Sequence, residues 1–252
     1  MTRIIMCGCN GKMGRVISQI VKEDENAEIV AGVDISGEQL DDYPVFKSVR
    51  ECDVPADVLI DFSAPAALFD ILSIGLARKL PLVLCTTGYN EEQLSQIDKA
   101  SKSIAILRSA NMSLGVNLLL SLVQSAAKVL ADANFDIEIV EKHHNQKVDA
   151  PSGTALALAD AINEALNNEY NYKYDRSAER VKRDKKEIGI SAVRGGTIVG
   201  EHEVIFAGTD EVIEFKHTAY SKAIFGKGAV SAAKFLAGKS AGMYSMKDVI
   251  EL

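Results

Sequence analysis

The chain has 252 residues and the composition of an ordinary globular protein, with 47% hydrophobic residues, 25% charged residues and no tryptophan. Its formal net charge of -7 argues against general binding to nucleic acid or to an anionic membrane surface. No apolar run approaches the roughly 18 residues that span a bilayer, and the N-terminus lacks the features of a signal peptide. Four cysteines without a C-x-x-C pair predict a reduced, cytoplasmic protein.

The first elements follow the order strand, glycine loop, helix, strand. Residues 3–7 predict a buried strand, residues 15–21 have helical spacing, and residues 28–33 predict a second strand that ends on Asp34. This is the order of a dinucleotide-binding unit, in which glycines make the tight turn and let the backbone approach a pyrophosphate. The loop contains Gly8, Cys9, Asn10, Gly11, Lys12, Met13 and Gly14.

Two positions in this unit bear on the cofactor. Asp34 lies 20 residues after Gly14, where an acid can accept hydrogen bonds from the hydroxyl groups of the adenosine ribose. Asn10 stands where the G-x-G-x-x-G pattern has its middle glycine, so the loop by itself is also compatible with a structural turn. Ile35 rather than an arginine follows Asp34, which favours NADH, while Lys12 keeps NADPH as an alternative.

Alternating strands and helices continue to about residue 113. Strands are predicted at 57–63, 82–85 and 103–107, a helix runs from 64 to 77, and Asn90 is the predicted N-cap of a helix that ends near residue 100. This alternation predicts an α/β fold with a Rossmann-type, doubly wound parallel sheet. Ligands bind such sheets beyond the carboxyl ends of the strands, so the polar residues at those ends are candidates for the cofactor site.

A second, α+β domain is predicted after a long helix at 114–131. Residues 135–141 alternate with period two, as a half-buried antiparallel strand does, and a helix follows at 154–166. Residues 167–186 predict a mobile surface loop with a short helix. Three strands, at 187–193, 197–206 and 211–217, complete a sheet of about four mostly antiparallel strands, whose open face and edges predict an oligomer interface. The helix at 228–237 and the tail at 243–252 are expected to pack on the first domain.

The most informative stretch joins that strand to the helix at 154–166. It carries His143, His144 and Lys147, followed by Pro151-Ser152-Gly153-Thr154 at the helix start. Unpaired N–H groups and the positive end of the dipole make a helix N-terminus attractive to anions. We interpret the stretch as a pocket for a small carboxylate with acid chemistry, and a solvated basic loop is the alternative. Ser152 is explained by capping alone.

The histidines do not have the spacing of a metal site. Neither H-x-x-x-H nor H-E-x-x-H occurs, and His143 and His144, as neighbours on a strand, point to opposite faces. His202 and His217 lie in strand patterns and are interpreted as hydrogen-bonded core residues. Hydride transfer to an unsaturated substrate needs a reduced cofactor, an anchored acceptor and an acid, and Lys147 and a histidine suit the last role.

The motifs of the whole chain resemble one family. Five segments carry the likeness: 8–14, Asp61-Phe62-Ser63, Thr86-Thr87-Gly88, 111–117 and above all 141–155, with a later motif at 194–202. Together they resemble 4-hydroxy-tetrahydrodipicolinate reductase, also called dihydrodipicolinate reductase, of the diaminopimelate route to lysine. The resemblance implies a homotetrameric, NADH- or NADPH-dependent reductase of a cyclic dicarboxylate. It also implies a dinucleotide-binding domain of residues 1–113 with 222–252, and a substrate-binding and oligomerisation domain of residues 114–221.

The resemblance also implies roles for single residues. His143 and Lys147 would transfer protons, and Ser152 belongs with the substrate-binding residues His144, Gly153 and Thr154. The cofactor would contact Gly8, Cys9, Asn10, Gly11, Lys12, Met13, Asp34, Cys85, Thr86, Thr87, Ser109, Ala110, Asn111, Met112 and Lys222. The family often has other residues at Cys85, Met112 and Lys222. An NAD-binding redox-sensing regulator and another Rossmann dehydrogenase of a small carboxylate are the alternatives.

Overall fold

The structure of the protein is a computed structural model that describes residues 1–250. It consists of two compact units: Met1–Leu114 together with the segment that begins at Lys222, and Gly115–Ser221. Within residues 1–250 no helix is long and apolar enough to cross a membrane.

The elements alternate along the first part of the chain and are richer in strands after residue 130. The first are β1 (Thr2–Cys7), α1 (Lys12–Lys22), β2 (Ala27–Val33), β3 (Val45–Phe46), β4 (Val58–Asp61), a 3-10 turn (Pro65–Ala67), α2 (Leu68–Arg78), β5 (Leu82–Leu84), α3 (Glu91–Ser101), β6 (Ala105–Arg108) and α4 (Leu114–Leu130). The others are β7 (Asp136–His143), α5 (Gly153–Ala165), β8 (Asn171–Lys173), β9 (Glu187–Arg194), β10 (Gly200–Ala207), β11 (Val212–Ala219), α6 (Ala223–Leu236), β12 (Gly242–Tyr244) and α7 (Met246–Ile250).

The first unit is built on a parallel sheet with the strand order β12-β6-β5-β4-β1-β2-β3. Both faces of β1 are covered, because Ile4 and Met6 pack in a cluster with residues of α1 and α6, whereas Ile5 packs in a cluster with residues of α2 and α3. Burial of each such side chain stabilises the fold by about 1.5–3 kcal/mol. The predicted Rossmann-type, doubly wound sheet is confirmed, and the N-cap at Asn90 is confirmed by a capping box with Gln93.

The tail of the chain completes this sheet. β12 pairs in parallel with β6, and α7 follows it. The predicted packing of the tail on the first unit is therefore confirmed for residues 243–250, whereas the strand β12 was not predicted, and Glu251 and Leu252 lie outside the described residues. The short β3, which extends the other edge beside β2, was not predicted, since two residues carry too little periodicity to be recognised.

The second unit contains a mixed sheet with the order β11-β10-β7-β9-β8. β7 is antiparallel to β10, as its pattern predicts, and parallel to β9. Its inward side chains, Ile137 and Ile139, pack with residues of α4 and α5. The sheet thus has five strands in the described chain and equal numbers of parallel and antiparallel pairings, where about four mostly antiparallel strands were expected.

The segment 167–186 accounts for the extra strand. The short helix predicted there is wrong: residues 171–173 form β8, which pairs in parallel with β9. Tyr170 and Tyr172 pack against the hydrophobic core of the second unit. Tertiary packing of two tyrosines therefore decides the structure of a segment whose polar composition predicts a loop.

Candidate functional site

The glycine loop of the first unit leads into α1 and leaves the N-terminus of this helix without a side-chain cap. Gly8 has φ +78°, and a Cβ there would lie 2.6 Å from the carbonyl oxygen of Phe62, so only glycine fits without a shift. A Cβ on Gly14 would lie 2.2 Å from the carbonyl oxygen of Gly8. Gly11 is the N-cap of α1 and supplies no side-chain acceptor. The first-turn N–H groups of α1 are therefore open to an external anion such as a pyrophosphate.

Asn10 connects this loop to the end of β2. Its backbone N–H donates to Asp34 Oδ2 at 3.2 Å, and its side-chain amide donates to Ser36 Oγ at 2.8 Å and to the carbonyl oxygen of Glu38 at 2.9 Å. The departure from the glycine pattern at this position thus has a structural reason. Asp34 Oδ1 accepts from the N–H of Ser36 at 3.1 Å, so the carboxylate is oriented beside the loop.

The other predicted cofactor residues divide by exposure. Cys9, Cys85 and Met112 are buried in the hydrophobic core of the first unit, which leaves their backbone groups for a ligand. Burial also raises the pKa of Cys9 to about 11, so its thiol stays neutral. Lys12, Thr87, Ala110 and Lys222 are exposed, and Met13, Thr86, Ser109 and Asn111 are partly buried.

The residues at the ends of β5 and β6 fit a dinucleotide. Thr86 Oγ1 is buried and has no hydrogen-bond partner in the protein, which is a cost that a ligand hydrogen bond would remove. A cavity of about 260 Å³ lies where β6 and β12 end, and Ser109 and Ala110 are part of its lining. Together with the glycine loop at the start of α1, these features suit a nucleotide that binds along the carboxyl ends of the strands.

In the second unit, β7 delivers His143 at its last residue. The ring is largely buried, with 12% of its side chain exposed, and Nδ1 lies 2.6 Å from Glu141 Oε2. His144 is exposed, because it is the first residue after the end of β7. The turns that follow are joined by backbone bonds: the N–H of Gly195 donates to the carbonyl oxygen of His143, and the N–H of Asn145 donates to that of Gly196.

Glu141 is completely buried and is the centre of this cluster. The guanidinium of Arg194 donates to both of its oxygens at 2.7 Å, and the N–H of Ser152 donates to Oε1 at 2.9 Å. Burial by itself would raise the pKa of Glu141, but the hydrogen bonds from Arg194, His143 and Ser152 outweigh it, so the pKa lies below its usual value. The carboxyl group is therefore ionised and accepts hydrogen bonds only.

A second histidine lies against the first. The rings of His143 and His202 meet edge to face with centroids 5.1 Å apart, and His202 Nε2 is 2.8 Å from Ser152 Oγ. Burial lowers the pKa of His202 to about 4, so it is neutral near pH 7. Ser152 also caps α5, since its Oγ accepts from the N–H of Ala155. The capping role predicted for Ser152 is confirmed, and its side chain is buried and fully engaged.

Lys147 and the start of α5 complete the cluster. Lys147 Nζ lies 2.7 Å from Asp149 Oδ1, and this ion pair holds the pKa of Asp149 below its usual value. Gly153 is exposed, and a Cβ there would meet nothing within 4 Å, while Thr154 is partly buried. The space beside Gly153 lets a ligand approach the start of α5, and the backbone N–H of Gly153 hydrogen-bonds to the carboxylate of Asp149, which helps to lower the pKa of Asp149.

The structure adds residues that sequence reasoning had not assigned to the site: Glu141, Asp149, Arg194, Gly200 and His202. One signal for Glu141 was present in the sequence. It occupies an inward position of a strand whose other inward residues are isoleucines, and a carboxylate on such a face needs partners. No sequence pattern indicates that the partner is Arg194. Within residues 1–250 no group of three or more His, Cys, Asp or Glu residues could hold a metal ion.

The comparisons with known proteins agree over the full chain. A family model described as dihydrodipicolinate reductase, N-terminus, matches residues 2–112, and one described as dihydrodipicolinate reductase, C-terminus, matches residues 115–250. The 4-hydroxy-tetrahydrodipicolinate reductase of Caldanaerobacter subterraneus subsp. tengcongensis is 54% identical over 251 residues, which cover 100% of this chain and 99% of that protein. That of Clostridium novyi is 51% identical over 251 residues, with the same coverage.

A solved structure has the same architecture. The dipicolinate-bound dihydrodipicolinate reductase of a Paenisporosarcina species superposes with a TM-score of 0.84 over 99% of both chains, at 26% identity. A probable dehydrogenase of Thermotoga maritima, 11% identical with a TM-score of 0.61 over 98% of this chain and 92% of that one, shares the fold alone.

Proposed function

The chain belongs to the dihydrodipicolinate reductase family, and from this premise we propose that His143 and Lys147 transfer the protons of its reaction. The protein is an oxidoreductase that reduces 4-hydroxy-tetrahydrodipicolinate to tetrahydrodipicolinate with NAD(P)H and loss of water, in the diaminopimelate route to lysine. The observation that carries the proposal is the contact of His143 with the ionised, buried Glu141, which also binds the N–H of Ser152 at the start of α5.

The reaction defines what the side chains must do. A bound nicotinamide would supply the hydride, and the substrate must also receive a proton and release its hydroxyl group as water. A proton donor within hydrogen-bond reach contributes typically about 10²- to 10⁴-fold to such a step. His143 presents Nε2 for this role, since Nδ1 is bonded to Glu141. Lys147 supplies a second proton donor near the same helix start.

The substrate site is proposed at the start of α5. The two carboxylates of the substrate would be held by the exposed His144 and by the N–H groups of Gly153 and Thr154, where the positive end of the helix dipole favours negative charge. Ser152 supports this arrangement through its cap and its bond to Glu141. The relative from Paenisporosarcina binds dipicolinate, a flat cyclic dicarboxylate, which fits the same requirement.

For the cofactor, we propose the glycine loop, Asp34 and the strand ends of the first unit. The nucleotide-binding residues would be Gly8, Cys9, Asn10, Gly11, Lys12, Met13, Asp34, Cys85, Thr86, Thr87, Ser109, Ala110, Asn111, Met112 and Lys222, with the three buried side chains contributing only their backbone. A slight preference for NADH is supported by the oriented carboxylate of Asp34, which would repel a 2′-phosphate.

A homotetramer in the cytoplasm is the proposed state of the protein. The outward face of the second sheet carries an ion-pair group, in which Lys142 and Lys216 lie 3.6 Å and 3.1 Å from Glu201, and β11 is an edge strand available for pairing. The four cysteines are all free and buried, as expected in a reducing compartment. Sedimentation equilibrium of the purified protein tests the tetramer.

The assay is cofactor oxidation with freshly generated 4-hydroxy-tetrahydrodipicolinate, followed by the near-ultraviolet absorbance of NADH or NADPH. We expect substrate-dependent oxidation with both, and His143→Asn is expected to lower kcat about 100-fold while dipicolinate still binds. Oxidation by the wild type that is unchanged in His143→Asn would remove His143 from the mechanism. No oxidation with either cofactor would contradict the assignment of the reaction.

A further inference from the structure

Glu141 has more partners than a structural carboxylate needs. It is completely buried, its oxygens accept from both terminal nitrogens of Arg194, and it bonds at the same time to the ring of His143 and to the N–H of Ser152. Removing such a charge pair from water has a large desolvation penalty, and apolar residues of similar size are often equally stabilising. A gain in the stability of the fold is therefore a weak explanation for this arrangement. Glu141 lies between His143 and the start of α5, and this position points to a functional role instead.

We propose that Glu141, held by Arg194, is a positioning residue for proton transfer: it fixes the tautomer of His143 and, with the same carboxylate, the start of helix α5. This inference rests on the proposed role of His143. Because the ionised carboxylate only accepts hydrogen bonds, Nδ1 of His143 must carry a proton, and Nε2 is the nitrogen that exchanges a proton with the substrate. The other oxygen of Glu141 holds Ser152, the residue that begins α5.

The residues around the ring of His143 agree with different roles for its two nitrogens, Nδ1 bonded to Glu141 and Nε2 open to the substrate. Gly200 lies on the Nε2 side, where a Cβ would come within 3.2 Å of that nitrogen, so glycine leaves this side open. His202 lies against the ring edge to face and is tied to Ser152. Burial lowers the pKa of His202 to about 4, so its ring is neutral near pH 7 and does not form an ion pair with Glu141.

Arg194 gives Glu141 a fixed orientation. It is the direct parallel neighbour of His143, since the register of β7 and β9 pairs these two residues. Arg194 also donates to the carbonyl oxygens of Val193 and Asp149, at 2.8 Å and 2.6 Å. A planar guanidinium with two parallel bonds to a carboxylate leaves it little rotational freedom. Glu141 therefore presents one oxygen edge to His143 and the other to Ser152.

The test is Glu141→Gln. The amide oxygen can still accept from Ser152, but the amide nitrogen then lies against Nδ1 of His143 and favours the tautomer with the proton on Nε2. We expect kcat to fall about 100-fold, with less than about a threefold change in the dissociation constant of dipicolinate. The ¹⁵N NMR signals of His143 are identified by their absence from the spectrum of His143→Asn. In Glu141→Gln these signals should show the ring proton on Nε2, whereas in the wild type they should show it on Nδ1.

A second variant and a matched control accompany it. If Glu141→Gln leaves Arg194 unpaired and does not fold, the double variant Glu141→Gln with Arg194→Met removes both charges and should show the same tautomer change and loss of kcat. Glu138→Gln is the control, because Glu138 lies on the same strand and also accepts hydrogen bonds from arginine, in its case from Arg176 and Arg183. Its kcat and His143 spectrum should equal those of the wild type.

The outcomes separate this inference from the proposed function. A wild type that oxidises no cofactor contradicts the function itself. A wild type that turns over, with kcat unchanged in the Glu141 variants, overturns the inference alone. It is also overturned if kcat falls while the His143 tautomer stays as in the wild type, since Glu141 would then act only through the stability of the fold.

Discussion

Gly200 lies beside Nε2 of His143: a methyl group at position 200 would be 3.2 Å from Nε2 and 3.5 Å from Cδ2. Such a distance is tighter than ordinary van der Waals contact, so one of the two residues must shift. The space beside Nε2 therefore exists because residue 200 is a glycine and has no Cβ.

Gly200→Ala is expected to lower kcat/KM about tenfold, because the methyl group displaces the ring or the substrate, a cost of about 1–3 kcal/mol. Steady-state kinetics and dipicolinate binding measure the effect. Gly195→Ala is the control, since a Cβ there has its nearest neighbour at 3.6 Å, an ordinary contact distance. Equal kinetics for the two variants would show that the space beside Nε2 has no role.

Lys147 is expected to act as a proton donor, and its Nζ is paired with Asp149. Lys147→Ala should lose most turnover, about 100-fold or more in kcat, while the affinity for NADH in a fluorescence titration stays the same. Lys142→Ala serves for comparison, because Lys142 belongs to the ion-pair group with Glu201. Full turnover in Lys147→Ala would remove Lys147 from catalysis.

Asp34→Asn tests the cofactor preference. The amide removes the negative charge and has one oxygen, so it keeps an acceptor for only one of the two N–H groups, that of Asn10 or that of Ser36. We expect the KM for NADH to rise about tenfold and the KM for NADPH to fall or stay constant, because the repulsion of a 2′-phosphate is removed. A ratio of the two kcat/KM values equal to that of the wild type would mean that Asp34 does not select the cofactor.

His202 predicts a dependence of stability on pH. Its pKa is about 4 in the folded protein, against a usual value of 6.5, because burial disfavours the charged ring. Between these values the unfolded chain binds a proton and the folded protein does not, so this contribution to stability is complete above pH 6.5 and is lost as the pH falls toward 4. The loss amounts to about 1.4 kcal/mol per pH unit within the window.

Urea unfolding of the wild type and of His202→Gln at several pH values between 4 and 6.5 measures this slope. The wild type should lose stability more steeply than the variant. Part of the slope should remain in His202→Gln, because burial also lowers the pKa of His217, its cross-strand neighbour. Parallel curves for the two proteins would contradict the prediction.

Much of the first unit follows from local pattern. The buried run of β1, the glycines after it and Asp34 at the end of β2 lie within 34 residues, and each is recognisable without any partner strand. The Asn90 cap is also local, since its partner Gln93 is three residues away. In contrast, β3 and β8 are too short to have a period, and both exist because a neighbouring strand offers hydrogen bonds.

The amino-acid sequence by itself determined the order of the elements and the stretch from His143 to Thr154, because helix caps, glycine turns and strand alternation are short-range properties of the chain. Only the tertiary structure decided what surrounds His143. Arg194 and His202 are more than 50 residues away in the chain, and they reach Glu141 and His143 through the register of β7 with β9 and β10. Strand pairing over such separations depends on the packing of the whole unit, so no local pattern could have predicted that one buried carboxylate would hold both the histidine and the helix start.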